Sequence, residues 1–241
     1  MRRLAAALAS LAVLTTVPAG AVTARPHLPS APPRAEACGV PDWRSAKRAT
    51  VLVDSVLLGA VRSVRGNLAG WRVGVAGRPA IMIRILADEL AASGARVAPL
   101  VVVGVGYNSL WQRARAGYAR WAAEFDRQAI RLLQTLRSRG AEQFVWVTLR
   151  TAARSRIPSS ARWQHDRYAW YFPYVNERLR RLDRRRSDVV LADWAAVSNR
   201  SDITYDAFHV NPAGAKLMAR TIRKAIEGEA AHQAERPCRQ R

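Results

Sequence analysis

The chain is poor in several residues that would widen its chemistry. Among 241 residues there are two cysteines, four histidines and three methionines, and only 18 acidic residues stand against 39 basic ones. With no Cys-x-x-Cys pair and no clustered histidines, no metal site is expected. Lys47, Lys216 and Lys224 are the only lysines, so nearly all of the net charge of +21 is arginine. Aromatics make up 7% and are seldom interleaved with the arginine runs, which argues against nucleic-acid binding. Long apolar runs are also scarce. The one from Leu4 to Val17 is shorter than the ~20 residues a membrane crossing needs.

That first run has another reading. Arg2 and Arg3 precede it, and the small residues Ala19-Gly20-Ala21-Val22-Thr23-Ala24 follow. A short positive start, an apolar stretch and a small-residue cleavage site together read as a secretory signal peptide over residues 1–24. Residues 25–45 are rich in Pro, Ala and Arg and read as a linker. Residues 46–228 are then the folded domain and 229–241 a tail. Cys38 and Cys238 lie near opposite ends of the mature chain. In an oxidising compartment they are expected to pair, closing a loop worth roughly 5 kcal/mol in the chain-entropy model. The expected location is secreted or in the cell envelope, and the expected state a monomer. The excess positive charge suits acidic wall polymers or anionic lipid headgroups; a general preference for arginine would produce it equally well.

Within the domain, apolar segments alternate between two periodicities. Short strands are expected at 50–53, 71–75, 99–103, 144–149 and 189–192. Helical spacing is expected from Leu57 to Val64, over 79–92, 112–137 and 168–184, and from Pro212 to Gly228. Arg150 to Gln164 shows no periodicity and reads as an exposed loop. Strands alternating with helices imply parallel βαβ units in a three-layer α/β/α fold, with a mostly parallel, about five-stranded flavodoxin-like sheet. Ligands bind such sheets at the carboxyl ends of the strands.

The loops at those ends hold the reactive residues. The first strand runs into Asp54-Ser55 and an apolar helix. A serine there exposes its hydroxyl beside free helix N–H groups, although Asp54 or Ser55 could equally serve only as a helix cap. The last loop contains Asp206-Ala207-Phe208-His209, just before Asn211-Pro212 start a helix. The three-residue separation lets Asp206 hold the His209 ring and leave its other nitrogen free as a base, which is what a serine nucleophile needs. The third strand ends in Gly104-Val105-Gly106-Tyr107-Asn108, where glycine admits close backbone approach and an Asn amide can donate to an oxyanion. The missing third glycine and acidic residue exclude a dinucleotide loop.

The ordered set Ser55, Gly77, Asn108 and His209, one per loop, resembles the four blocks that name the SGNH (GDSL-type) hydrolases. Asp206-x-x-His209 and Gly106-Tyr107-Asn108 are similar to two of those blocks, and Asp54-Ser55 to the nucleophile block, with Val53 where the family usually has glycine. The resemblance implies Ser55 as nucleophile, His209 as base and Asp206 as its orienting carboxylate. It also implies an oxyanion hole from the Ser55 and Gly77 N–H groups and the Asn108 amide, with no cofactor. With export, it implies an esterase or O-acyltransferase acting on acyl esters of cell-envelope carbohydrate or lipid. Arg78, Trp111 and the Arg150 to Gln164 loop are candidates to line the substrate groove, with a core or solvated-surface role as the alternative for each. The competing expectation is a non-catalytic SGNH-like envelope protein that binds anionic polymer through its basic surface.

Overall fold

A computed structural model of the chain describes residues 42–111 and 113–235. The expected signal peptide and the Cys38–Cys238 pair lie outside the described residues. Structure begins with a helical turn, α1 (Asp42–Ser45), inside the stretch read as linker. It continues with β1 (Arg48–Val53), α2 (Ser55–Leu58), α3 (Val61–Asn67), β2 (Arg72–Gly77), α4 (Ile83–Ser93), β3 (Leu100–Gly104) and α5 (Tyr118–Ser138). Then come β4 (Gln143–Val147), α6 (Arg162–Tyr168), α7 (Phe172–Arg185), β5 (Val189–Ala192), α8 (Trp194–Val197) and α9 (Pro212–Glu235).

The five strands form one parallel sheet in the order β2-β1-β3-β4-β5. This is the expected flavodoxin-like order. Right-handed crossovers put α2 and α3, which connect β1 to β2, on one face, and α4, α5 and α7 on the other, where the chain advances in the opposite direction. α9 packs against α3 and so completes the first layer. The chain leaves β1 towards one edge and returns on its other side to form β3. The crevice at the carboxyl ends of β1 and β3 is therefore the topological switch point.

The central strands explain the stability of this arrangement. Val51, Leu52 and Val53 of β1, all of β3, and Phe144, Val145 and Trp146 of β4 are fully buried. Covered on both faces, they carry continuous apolar runs rather than alternation. Each such side chain contributes about 1.5–3 kcal/mol relative to exposure.

Several boundaries differ from expectation. α5 starts at Tyr118 instead of 112, because Gly117 takes a left-handed conformation (φ 89°) that breaks the helical path before it. The helical pattern through Pro173 divides into α6 and α7, with the proline in the first turn of α7, where its missing N–H costs nothing. α9 continues past Gly228 to Glu235. Gly228 is right-handed and meets nothing that would end the helix, and the alanine- and glutamate-rich residues after it favour continuation. The segment 150–164 is not a simple exposed loop: it contains two 3₁₀ turns, and Ile157 and Ala161 are buried.

Gly77 shows how tightly β1 and β2 meet at the switch point. Its φ is +115°, and a Cβ there would lie 2.2 Å from the Val53 carbonyl oxygen. Gly77→Ala is expected to destabilise by at least about 2 kcal/mol in urea unfolding, whereas Gly228→Ala should stabilise by about 0.5–1 kcal/mol. A Gly77→Ala protein as stable as wild type would contradict this β1–β2 approach.

Candidate active site

Asp54 ends β1 and caps α2. Its Oδ1 accepts from the N–H groups of Val56 (2.9 Å) and Leu57 (3.4 Å), which fixes Ser55 as the first helical residue. Capping and presentation of the serine are thus one feature. Asp54 is fully buried, and burial pushes its carboxyl up to about 6 against the pull of the N–H groups of Val56, Leu57, Tyr107 and Gly106. Val53 stands beside Gly77 on one side and Gly104 on the other. At Gly104 the vacated space holds Leu57 of α2, whose Cδ2 would be 1.9 Å from an added Cβ.

The loop before α9 faces this turn. A bridge between Thr204 and Val210, with the Tyr205 N–H donating to the His209 carbonyl (2.9 Å), closes it into a tight bend. Asn211 caps α9 by accepting from Gly214 N–H (3.0 Å). Within the bend, Asp206 Oδ1 accepts from the N–H groups of Phe208 and His209, each at 2.8 Å. Asp206 Oδ2 is 2.7 Å from His209 Nδ1, and His209 Nε2 is 3.0 Å from Ser55 Oγ. Residues 154 positions apart in the chain thus complete a continuous Asp–His–Ser hydrogen-bond chain.

The electrostatics suit proton transfer. Burial alone would raise the Asp206 carboxyl, but the His209 ring and the two N–H groups outweigh it and hold it at about 2. Asp206 therefore adds stability above the ordinary carboxyl value of 3.8, and that contribution is lost as the pH falls towards 2. The bond to Asp206 raises the His209 pKa above its ordinary value, burial opposes this, and the charges of Asp206 and Asp54 add to the rise.

The remaining expected residues fall as follows. Gly77 and Asn108 sit at the carboxyl ends of β2 and β3, the two neighbours of β1. The Asn108 amide donates a long bond (3.5 Å) to the Ile81 carbonyl, which ties the Asn108 loop to the loop after Gly77. Arg78 is exposed and paired with Glu89 of α4 at 2.9 Å. Trp111 stacks on Tyr168 of α6, ring centroids 4.2 Å apart. Among the described residues no group of three or more His, Cys, Asp or Glu side chains is arranged to hold a metal ion.

Sequence reasoning misses the residues that hold the loops together. Arg150, expected in an exposed loop, is 2% exposed. Its guanidinium donates to the carbonyls of Ser198 (3.0 Å), Ala207 (2.7 Å) and Arg200 (2.5 Å). Ala207 lies between Asp206 and His209, so a buried cation braces the bend that carries them. Burial lowers the Arg150 pKa, with Tyr107 and Asp206 pulling the other way. The Arg150 N–H also donates to the Tyr107 hydroxyl (2.7 Å), and the Tyr107 carbonyl accepts from the Tyr171 hydroxyl. Tyr107, Phe172 and Phe208 form an aromatic cluster with centroids 5.0–6.2 Å apart. Tyr107 precedes Asn108 and Phe208 precedes His209, so one cluster anchors both loops. The one signal in the sequence is a charged residue soon after an apolar strand, at the carboxyl end of β4.

Two outcomes test this geometry. Asp206→Asn should lower kcat/KM by about 10³–10⁴-fold and move its ascending pH limb, expected above 6.5 in the wild type, to lower pH. Arg150→Met leaves three carbonyls without their donor and should cost about 2–4 kcal/mol in thermal unfolding. Assayed while still folded, it should lose kcat with little change in KM.

Comparison with protein-family models gives no match, and comparison with curated protein sequences gives no significant match. Solved structures do match. The C-terminal catalytic domain of a Streptococcus pneumoniae peptidoglycan O-acetyltransferase, carrying a methylsulfonyl adduct, is 14% identical, with TM-score 0.51 over 80% of this chain and 97% of that one. A GDSL-like lipase from Bacteroides thetaiotaomicron is 13% identical, with TM-score 0.56 over 77% and 90% of the two chains. An acetyl xylan esterase is 18% identical, with TM-score 0.55 over 74% and 99%. At these identities the likeness is one of architecture, and by that measure this chain has the three-layer α/β/α fold of the SGNH (GDSL-type) hydrolases.

Proposed function

We propose that the protein is a serine esterase or O-acyltransferase, exported to the cell envelope, acting on acyl esters of envelope carbohydrate or lipid. The observation that carries this reading is the hydrogen-bond chain from Asp206 through His209 to Ser55 at the switch point. The N-terminal charge-apolar-small pattern supports export. The fold shared with a peptidoglycan O-acetyltransferase and an acetyl xylan esterase supports a carbohydrate ester.

In this mechanism Ser55 Oγ attacks the acyl carbonyl carbon while its proton passes to His209 Nε2. Asp206 keeps the Nδ1–H in place and stabilises the imidazolium that forms. The oxyanion takes hydrogen bonds from the Ser55 and Gly77 N–H groups and the Asn108 amide, each such donor worth about 10²–10³ in rate. Collapse breaks the ester bond, and the departing alcohol takes the proton from His209, leaving an acyl-serine. His209 then deprotonates water or a sugar hydroxyl, which attacks the acyl-serine; collapse breaks the acyl–Oγ bond, and Ser55 Oγ takes the proton back from His209. The product is a free acid in the first case and a new ester in the second. Hydrolase and transferase share every step up to the choice of acceptor.

The test is turnover of a short-chain aryl ester and labelling by a serine-reactive phosphonate. Ser55→Ala should abolish labelling, and both Ser55→Ala and His209→Ala should reduce turnover by at least about 10³-fold, with folding intact by circular dichroism. A folded wild type that the phosphonate fails to label at Ser55 would overturn the catalytic reading.

A further inference from the structure

An open groove of about 680 Å³ lies between α3 and the first turns of α9. Gly59, one helical turn past Ser55, and Val210, next to His209, form its near end. A Cβ on Gly59 would lie 3.4 Å from Val210, and at the far end of α3 Arg223 Nη1 donates to the Asn67 carbonyl (3.3 Å). The two helices therefore run in the same direction, and the groove leads away from the nucleophile along them.

Its lining is selective. Arg62 of α3 and Lys216 of α9 contribute exposed cations from opposite sides, and no acidic residue lines the groove. Arg62 and Lys216 join none of the ion pairs found among the described residues, whereas many other arginines here are neutralised by a carboxylate neighbour. Tyr205, also in the lining, is 70% exposed, more than any other large hydrophobic side chain that stands out on the described surface. The floor includes Gly66, inside α3, whose backbone is not left-handed and whose missing Cβ would meet nothing within 4 Å. Neither conformation nor packing requires glycine there, in the last turn of α3. What its bare backbone provides is an unobstructed floor.

A flat ring able to stack on a sugar face, two cations that join no ion pair among the described residues, and an open groove whose near end is formed by Gly59 and by Val210, the residue after His209, fit one kind of ligand. We infer that the groove holds an acidic glycan chain, whose sugar rings lie on Tyr205 and whose carboxylates pair with Arg62 and Lys216, while an ester elsewhere on the chain reaches Ser55. The inference rests on the esterase or acyltransferase reading for its orientation and narrows that reading to an acidic polysaccharide.

Binding can be measured apart from catalysis. The full chain carrying Ser55→Ala is titrated with polygalacturonate, with poly(glycerol phosphate), which offers anions without ring sugars, and with neutral dextran. Polygalacturonate is expected to bind more tightly than either of the others. Adding Arg62→Ala with Lys216→Ala, or Gly66→Gln, should weaken its binding about tenfold, and adding Tyr205→Ala several-fold. Gly66→Ala, which adds only a methyl group, should bind as the parent does, and it separates an occluded groove from a damaged helix. Equal binding of polygalacturonate by the parent, the Gly66→Gln and the Tyr205→Ala proteins would overturn the inference. So would poly(glycerol phosphate) binding as tightly as polygalacturonate, since either outcome makes the contact one of diffuse charge. Loss of aryl-ester turnover is decided separately, because nothing in the titration depends on Ser55.

Discussion

The candidate site depends on a guanidinium that reaches the interior without a carboxylate to meet it. Arg150 leaves the end of β4 and donates to three carbonyls from the segment between β5 and α9, one of them between Asp206 and His209. A buried cation is costly unless its donors are satisfied, so the arrangement persists only while those carbonyls stay where they are. The constraint works in both directions. The bend cannot drift without stranding the cation, and the cation cannot leave without orphaning the carbonyls. Its backbone N–H, bonded to Tyr107, extends the same constraint to the loop that carries Asn108.

At the other side of the switch point the constraint is steric. Val53 occupies a position flanked by Gly77 and Gly104, and those two glycines admit the close approach of β1 to β2 and the seating of Leu57 against β3. The turn that carries Ser55 is therefore set by absent side chains, and the bend that carries His209 by a hydrogen-bonded cation. The 3.0 Å contact between His209 and Ser55 is where these two independent devices meet.

Much of this architecture is legible in the amino-acid sequence. Continuous apolar runs betray the central strands, and their alternation with amphipathic segments implies parallel pairing. Ser55, Asp206 and His209 stand out because each sits in a short loop with a local capping signature. What is illegible is non-local. The burial of Arg150 depends on carbonyls about fifty residues away, and the aromatic cluster joins Tyr107, Phe172 and Phe208 from three separate segments. The helix ends at Tyr118 and Glu235 escape the sequence for a different reason: a left-handed Gly117 and a right-handed Gly228 look alike in one-letter code. The distribution of charge is likewise ambiguous in sequence. In three dimensions many arginines close on neighbouring carboxylates, as where Arg137 and Arg186 share Asp188, and the net excess falls on the others. Exposed pairs such as Arg78–Glu89 add little stability, but the pairing sets apart the cations that join no ion pair among the described residues.

The central claim is that Ser55, His209 and Asp206 work with the Gly77 and Asn108 corner as one acyl-transfer site. Its most direct test is a crystal structure of the protein after reaction with a small alkyl phosphonate. The account requires phosphorus bonded to Ser55 Oγ, with the phosphoryl oxygen about 2.7–3.1 Å from the Ser55 and Gly77 nitrogens and the Asn108 amide. A phosphonate attached elsewhere, or a phosphoryl oxygen turned away from that corner, would contradict it.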